Sequence, residues 1–261
     1  MKKSFAIILL GLLVSGIGYS QKTYTFEYKI HPERTYVLEM DIASNNETTV
    51  SDVLTKNESL SKVRRTTTTK AANAEGLFPT IMAFDDVRML NEGKEVLSPL
   101  SYTIIEGLMA EDNKFKIDTI INPKLDKVTR DALKTVFKDL KPEIDFPKKP
   151  MKIGDAFSLD SPLTVPVNGQ KIKLLMTKTY TLKGVLNGIA EFSIKMNFAL
   201  AMSNENITAI GDGGGVVLFN IAENQVVKDD THYTVNIKVK TPTGVELGYV
   251  NAKAKKNTVI N

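Results

Sequence analysis

The chain has 261 residues, no cysteine, and a formal net charge of +4 from 34 basic and 30 acidic side chains. The missing cysteines exclude disulfides, thiolate metal sites and lipid attachment to an N-terminal cysteine. The nearly balanced charge argues against a dedicated nucleic-acid surface, so no nucleic-acid partner is expected.

The first twenty residues have the pattern of a secretory signal peptide. Lys2 and Lys3 form a charged start, and residues 5–14 form an apolar core that is too short to span a bilayer. Gly18 and Ser20 are small residues of the kind that signal peptidase reads. The pattern predicts cleavage after Ser20 and an exported protein; the alternative, an uncleaved anchor, would need a longer core. No later run approaches about 18 apolar residues, so no transmembrane span is expected in the mature protein.

Alternating apolar residues predict strands in the block that follows. Residues 24–30 and 36–42 are predicted to pair as an antiparallel hairpin with one solvated side. The polar residues 44–61 are predicted as a loop that contains at most one short strand, and the threonine-rich residues 62–70 as a solvated edge strand. Three more strands are predicted before residue 122, at residues 81–90, 102–110 and 115–121.

Residues 122–141 are predicted to form the main helix. Asn122 suits the N-cap position and Pro123 the first helical turn, while Pro142 ends the helix. The apolar residues recur at spacings of three and four, which predicts a single buried stripe. The stripe consists of Leu125, Val128, Ala132, Leu133, Val136, Phe137 and Leu140.

The block after the helix has the clearer strand pattern. Residues 171–182 and 190–200 alternate on either side of Asn187-Gly188, a preferred two-residue hairpin turn. Residues 216–221 are apolar on both faces, which predicts a covered central strand. The glycine-rich residues 211–215 precede a strand rather than a helix, so we expect a flexible connection and not a phosphate-binding loop. Gly215 would let that strand pass close to its neighbour.

These elements predict a mainly β protein of the α+β class. We expect an antiparallel sheet, curved or forming an unclosed β-barrel, with roughly ten to twelve strands and one main amphipathic helix packed on it. Residues 21–261 would form a single β-rich domain, in which residues 122–141 join two strand blocks at residues 21–121 and 151–261.

Few residues suggest catalysis or metal binding. The two histidines, His31 and His232, are distant in sequence and both are expected to be exposed. The pairs Asp85-Asp86 and Asp229-Asp230 lie in predicted strands, where adjacent side chains point to opposite faces unless the backbone bulges. No Gly-x-Ser-x-Gly motif occurs in the mature chain. We therefore expect no enzymatic activity, no metal and no cofactor.

Methionine and phenylalanine on the inward faces predict a candidate ligand site. Methionine adapts to varied apolar guests, so an apolar cavity between sheet and helix is one interpretation, and plain core packing is the alternative. The candidate ligand-binding residues are Met109, Leu133, Phe137, Met176, Met196 and Phe198.

The segment Phe146-Pro-Lys-Lys-Pro-Met-Lys-Ile-Gly-Asp-Ala-Phe157 resembles a strand opening in uncharacterised exported β-rich proteins of Gram-negative bacteria. The order of hairpins, a Gly-Lys-Glu-Val turn at residues 93–96 and a charged helix is also similar. Such proteins resemble the periplasmic lipoprotein carriers in layout. That resemblance implies an unclosed β-barrel with a helix in its concavity, and it says little about function.

Two hypotheses of function follow from these patterns. The first is an exported, non-enzymatic carrier or sensor whose partner is an apolar small molecule or a lipid acyl chain. The second is an envelope structural or protein-interaction module with a filled core. The volume of any cavity near the helix would distinguish them.

Overall fold

The computed structural model of the protein describes residues 22–91, 93–138, 144–167, 170–202, 204–242 and 244–261. The predicted signal peptide and its cleavage site lie outside the described residues. Within those ranges the chain forms fourteen strands and one helix. In chain order they are β1 (Thr23–Tyr24), β2 (Thr35–Val50), β3 (Val53–Thr69), β4 (Phe78–Asn91), β5 (Lys94–Leu97), β6 (Thr103–Met109), β7 (Phe115–Ile121), α1 (Lys127–Lys138), β8 (Met151–Lys152), β9 (Ala156–Val167), β10 (Gln170–Leu186), β11 (Ile189–Leu200), β12 (Ile207–Asn220), β13 (Gln225–Thr241) and β14 (Gly244–Ile260).

Twelve strands form one antiparallel sheet. Its order is β7-β6-β4-β3-β2-β14-β13-β12-β11-β10-β9, with β5 beside β4, while β1 and β8 form a separate two-stranded sheet. Strand β2 pairs with β14, so the sheet is continuous between the two strand blocks. The end strands β7 and β9 do not pair with each other in the described ranges. The predicted mainly β, antiparallel and unclosed sheet is therefore confirmed.

One face of this sheet, here called the inner face, carries two separate hydrophobic clusters. The C-terminal cluster contains the buried apolar side chains of β9 to β14 together with Phe26, Ile144, Phe146 and Met151. The N-terminal cluster contains buried apolar side chains from β2, β4, β6 and β7 together with Ile30, Leu125 and Phe137. The two strand blocks therefore each bury their own apolar surface.

The C-terminal half curls until its first and last strands meet. A Cβ atom at Gly248 of β14 would lie 2.8 Å from Cγ2 of Val167 in β9, which only a glycine accommodates. In β12, a Cβ at Gly215 would collide with the carbonyl oxygen of Asp230 and lie 2.8 Å from Cα of Thr231. The expected close approach at Gly215 is confirmed. The expected flexible connection at residues 211–215 is wrong, because these residues lie within β12 and pair with both neighbouring strands.

Two-residue turns with positive φ join two of the hairpins. Asn187 and Gly188 have φ values of 50° and 77° and connect β10 to β11, as predicted. Ser51 and Asp52 have φ values of 48° and 64° and connect β2 to β3. The predicted loop at residues 44–61 is therefore wrong. This turn lacks glycine, and its polar flanking strands show no alternation that a sequence pattern could detect.

The predicted N-terminal hairpin is also wrong. Only Thr23 and Tyr24 form a strand, and they pair with β8 rather than with β2. Residues 25–34, here called the strap, cross the inner face between the two halves: Phe26 packs in the C-terminal cluster and Ile30 in the N-terminal cluster. The apolar alternation correctly marked inward side chains, but alternation does not specify a pairing partner.

The threonine-rich residues 62–70 fall largely within β3, but β3 is not an edge strand. It lies between β2 and β4, so its backbone groups pair on both sides. Its inward side chains include Arg65, Thr67 and Thr69, and both threonines are buried. These short polar side chains fill little volume on the inner face.

The helix is shorter than predicted and begins later. Helix α1 starts at Lys127, and the backbone N–H of Thr129 donates to Oδ1 of Asp126 at 2.7 Å, so Asp126 and not Asn122 is the N-cap. Hydrogen bonds from Thr129 lower the pKa of the Asp126 carboxyl. The buried Asn122 instead forms a turn, because its Oδ1 accepts from the N–H of Lys124 at 2.8 Å.

The predicted single buried stripe on the helix is only partly observed. Leu125, Leu133 and Phe137 belong to or pack against the N-terminal cluster. Val128 and Val136 are 78% and 63% exposed. Ala132 is exposed as well, and Leu140 lies outside the described residues. Within the helix, the contacts with the cluster therefore come from Leu133 and Phe137, which lie four residues apart on one side.

Candidate ligand pocket between the two clusters

A cavity of about 300 Å³, here called the inner pocket, lies on the inner face beside the N-terminal cluster. Strands β2, β3, β4, β6 and β14 and the strap contribute its walls. The apolar part of the lining consists of Ile30, Leu38, Met40, Met82 and Met109. A concave apolar pocket with a few polar groups is the usual form of a small-molecule site.

The register of the central strands brings the pocket residues together. Tyr36 of β2 faces Thr67 of β3, and Thr67 in turn faces Met82 of β4. On the other side of β2, Met40 faces Lys256 of β14. Because side chains two residues apart on a strand share a face, these rows form one continuous wall.

The strap covers this wall and is held at both halves of the molecule. The N–H of Lys29 donates to the carbonyl oxygen of Asn224 at 3.1 Å, and the N–H of Ile30 donates to that of Glu111 at 3.1 Å. Nε2 of Gln225 donates to the carbonyl oxygen of Lys29. The Lys29 ammonium lies 2.9 Å from Glu111, and hydrogen bonds to Glu111 and Glu27 raise the pKa of Lys29. The strap thereby places Tyr28 and Ile30 in the lining.

Tyr36 links the strap to the pocket floor. The N–H of His31 donates to Oη of Tyr36 at 2.9 Å, and the Thr69 hydroxyl donates to the carbonyl oxygen of His31 at 2.7 Å. Burial raises the pKa of Tyr36 above its ordinary value, although its hydrogen bond to the His31 backbone acts in the opposite direction. His31 is half-buried in this network, whereas the sequence predicted an exposed residue.

The polar part of the lining is cationic. It includes Arg65 and Lys256 together with the hydroxyls of Thr67 and Thr258 and the amides of Asn113 and Gln225. Sequence reasoning missed Arg65, because the expected edge strand placed the basic side chains of residues 62–70 in solvent, and it made no prediction for Lys256. Arg65 lies two residues before Thr67 and Lys256 two residues before Thr258, so each shares a strand face with that threonine. This spacing was the available signal.

The six predicted ligand residues do not converge on one site. Met109 lines the inner pocket and is buried in the N-terminal cluster. Leu133 and Phe137 pack with that cluster from the helix, outside the pocket lining. Met176, Met196 and Phe198 belong to or pack against the C-terminal cluster. The structure thus divides the set between two clusters.

Two other surface depressions differ in character from the inner pocket. A groove of about 450 Å³ on the opposite face is lined mainly by charged residues, among them Glu39, Lys62 and Arg64. A groove of about 490 Å³ beside the helix combines apolar side chains of β6 and β7 with Lys134. Neither is covered by the strap.

The described residues contain no group of three or more histidine, cysteine, aspartate or glutamate side chains that could hold a metal ion. The carboxylate pair Asp85-Asp86 does lie at a β-bulge, since Arg64 faces Asp86 while Arg65 faces Phe84. Asp85 accepts from the Thr66 hydroxyl at 2.7 Å, and Asp86 accepts from Nε of Arg88 at 2.9 Å. Each carboxylate therefore has its own neighbouring donor. His232 is exposed, as predicted.

In the described part of the chain, no helix has the length and apolar character needed to cross a bilayer.

Comparison with known proteins identifies no family for this chain. No protein family and no curated protein matches the sequence. Among solved structures, a mutant of the porin of Rh. blastica is similar over 86% of this chain and 100% of that chain, at 8% identity and a TM-score of 0.21. This similarity is too low to support a statement about fold or function.

Proposed function

We propose that this protein is a non-enzymatic, exported envelope protein that binds an apolar or amphiphilic small molecule, such as a lipid acyl chain, in the inner pocket. The observation that supports the proposal most is the strap-covered pocket of about 300 Å³ with three methionines in its lining. Methionine side chains are flexible and polarisable, so they accommodate acyl chains of varied shape. Carrier and sensor roles are both compatible with such a site.

Ligand binding is tested by thermal unfolding with a panel of fatty acids and phospholipids. A ligand that binds only the folded protein stabilises it by about 2.7 kcal/mol at a concentration of a hundred times its dissociation constant. No change in unfolding temperature with any member of the panel would contradict the proposal.

Two half-buried methionines on the inner face provide a matched pair that locates the site. Met40 lines the inner pocket, whereas Met176 packs against the C-terminal cluster. Met40→Trp should reduce the ligand-induced stabilisation, because the indole occupies pocket volume. Met176→Trp should leave that stabilisation unchanged. An equal loss in both variants would place the ligand elsewhere.

Export is tested separately from binding. The charged start, apolar core and small residues near Ser20 support a cleavable signal peptide. N-terminal sequencing of the protein from the envelope fraction should begin at Gln21. A mature protein that begins at Met1 would contradict export by this route.

The second candidate function is an envelope structural or protein-interaction module. Its support is an apolar groove of about 310 Å³ on the face opposite the inner pocket, where Leu54, Ile210 and Leu247 are 51%, 75% and 47% exposed. This candidate predicts that the purified protein associates with a protein from the envelope extract and that Ile210→Ser weakens this association. Analytical ultracentrifugation of the purified protein with fractions of the extract measures it. Lipid binding at the inner pocket without any association would favour the carrier instead.

A further inference from the structure

The hydroxyl of Thr67 is the least satisfied polar group of the inner pocket. Thr67 is 5% exposed, and its Oγ1 has no hydrogen-bond partner in the described part of the chain. Thr69, two residues along the same face, donates to the carbonyl oxygen of His31 at 2.7 Å. Buried hydroxyls in folded proteins are normally paired, so an unpaired one that lines a pocket indicates a polar ligand atom within reach.

The charged side chains near Thr67 indicate the charge of the ligand group that would bind there. Arg65 lies two residues before Thr67 on the same face of β3, and its cross-strand neighbours are Leu38 and Phe84, which are both apolar. Lys256 also lines the pocket, with Asp229 opposite it in β13. None of the described lining residues is acidic. The lining therefore favours an anion.

The apolar and cationic groups lie at adjoining parts of one cavity. Met40, Met82 and Met109 offer contacts for a hydrocarbon chain, while Arg65, Thr67 and Lys256 offer donors. A guanidinium matches the geometry of a carboxylate and binds it through two parallel hydrogen bonds. A ligand with a carboxylate at one end of an alkyl chain would use both groups.

We propose that the inner pocket selects a carboxylate-headed, single-chain amphiphile, that is, a fatty acid anion. Its carboxylate binds the Arg65 guanidinium and accepts from the Thr67 hydroxyl, Lys256 adds positive potential, and the alkyl chain lies against the methionines. This inference rests on the proposed function and adds the class of head group to it.

A head-group series on the wild-type protein tests the inference without any variant. Dodecanoate, dodecanol and dodecyltrimethylammonium share an alkyl chain. Each is titrated by displacement of a fluorescent apolar probe, the two ions below their micelle-forming concentrations and dodecanol below its solubility limit. Dodecanoate should bind at least about tenfold more tightly than dodecanol, as expected for a charge-assisted hydrogen bond, and the ammonium compound most weakly. Equal affinities would overturn the head-group inference and leave the proposed function standing. Binding of none of the three would overturn both.

Arg65→Met locates the head group, with Arg64→Met as the matched control. Arg64 is the preceding residue of β3, and its exposed side chain points to the opposite face. Arg65→Met should weaken dodecanoate binding about tenfold and leave dodecanol binding unchanged, because only the anion loses its partner. Arg64→Met should change neither affinity. Equal effects of the two variants on dodecanoate would overturn the inference.

Thr67→Val separates a ligand-binding role from a structural one. Valine has the shape of threonine without the hydroxyl, so removing an unpaired buried group should leave the ligand-free protein at least as stable as the wild type. Dodecanoate affinity should nevertheless fall, and dodecanol affinity should not. An unchanged dodecanoate affinity in Thr67→Val would exclude the hydroxyl from the site.

If Arg65→Met does not fold, the same comparison is made with Lys256→Met, and Lys255→Met is then the control.

Discussion

The two halves of the sheet fill their inner faces in different ways. In the C-terminal half, the rings of Phe26 and Phe146 contact each other, and each also contacts the rings of Phe192 and Phe219, with centroid distances from 4.9 to 5.9 Å. In the N-terminal half, the inward residues of β3 include Arg65, Thr67 and Thr69, and a pocket of about 300 Å³ lies against Arg65 and Thr67. Both arrangements occur on one face of one continuous sheet.

The difference shows which residues fill the interior of one half and leave a pocket in the other. Two segments outside the main sheet supply phenylalanines to the C-terminal cluster, and Gly215 and Gly248 let its strands approach closely. The N-terminal half receives a short helix that contacts the cluster mainly through Leu133 and Phe137. A sheet that is curled around aromatic rings leaves little space, whereas short polar side chains leave room for a ligand.

The largest expected effect is the loss of a phenylalanine from the C-terminal cluster. Phe192 is 0% exposed and lies 5.1 Å from Phe26 and 5.6 Å from Phe146 between ring centroids, so Phe192→Ala should destabilise the protein by about 4 kcal/mol. Among the described residues, Phe137 has one ring neighbour, Phe84 at 5.8 Å, and Phe137→Ala should cost about 3 kcal/mol. Denaturant unfolding measures both. Val136→Ala, on the exposed side of the helix, should stay within about 0.5 kcal/mol.

A larger loss of stability in Phe137→Ala than in Phe192→Ala would mean that the N-terminal half is the more tightly packed of the two.

The next effect tests the polar interior of the N-terminal half. Nδ2 of the buried Asn122 donates to the carbonyl oxygens of Pro99 and Ser101 and to the Thr103 hydroxyl, at 2.9, 3.4 and 2.7 Å. Asn122→Ala leaves the acceptors of the buried Ser101 and Thr103 without their donor and should cost about 3 kcal/mol in denaturant unfolding. The exposed Asn257→Ala is the control and should be nearly neutral. A small loss at Asn122 would show that solvent replaces the amide, and hence that this interior is open.

A smaller effect tests the curvature of the C-terminal half. In Gly215→Ala the new methyl group would meet the backbone of Asp230 and Thr231, so we expect a loss of about 2 kcal/mol. Gly184→Ala in β10 is the control, because nothing lies within 4 Å of a Cβ there. Thermal unfolding of both variants measures the difference. Similar unfolding temperatures would contradict the close approach of β12 and β13.

The smallest effect concerns pH. Burial raises the pKa of Tyr36 in the folded protein above its ordinary value of 10, so the folded state holds this proton more tightly than the unfolded state. The corresponding stability is fully present below about pH 10 and is lost as the pH rises through the folded-state pKa. Tyr36→Phe should therefore flatten the decline of the unfolding free energy that begins above about pH 10.

Tyr233→Phe provides the comparison from the C-terminal half, because burial raises the pKa of that tyrosine too. The Tyr36 variant should also lose the acceptor for the His31 N–H, which the Tyr233 variant leaves intact. If the unfolding free energy of the Tyr36 variant declined at alkaline pH as steeply as that of the wild type, the buried placement of this ring beside the pocket would be contradicted.

Prediction from the sequence succeeded where alternation was strong and failed where it was weak. In β10 and β11, apolar and polar residues alternate on either side of Asn187-Gly188, and the predicted hairpin is present. In β2 and β3, polar residues occupy both faces between residues 44 and 61, so the parts of the 16-residue β2 and the 17-residue β3 that lie in this range were predicted as a loop. Of the candidate site, Met109 was predicted and Arg65, Thr67 and Lys256 were not.

The sequence by itself determined the mainly β class, the antiparallel hairpins of the second block and the inward side of the strap, because these depend on side-chain period and local turn chemistry. Only the tertiary structure decided that β2 pairs with β14, that Phe26 packs with the C-terminal cluster, and that Arg65 and Lys256 line one pocket. Pairing between residues more than two hundred positions apart depends on how the whole sheet buries its apolar face. No local pattern encodes that arrangement.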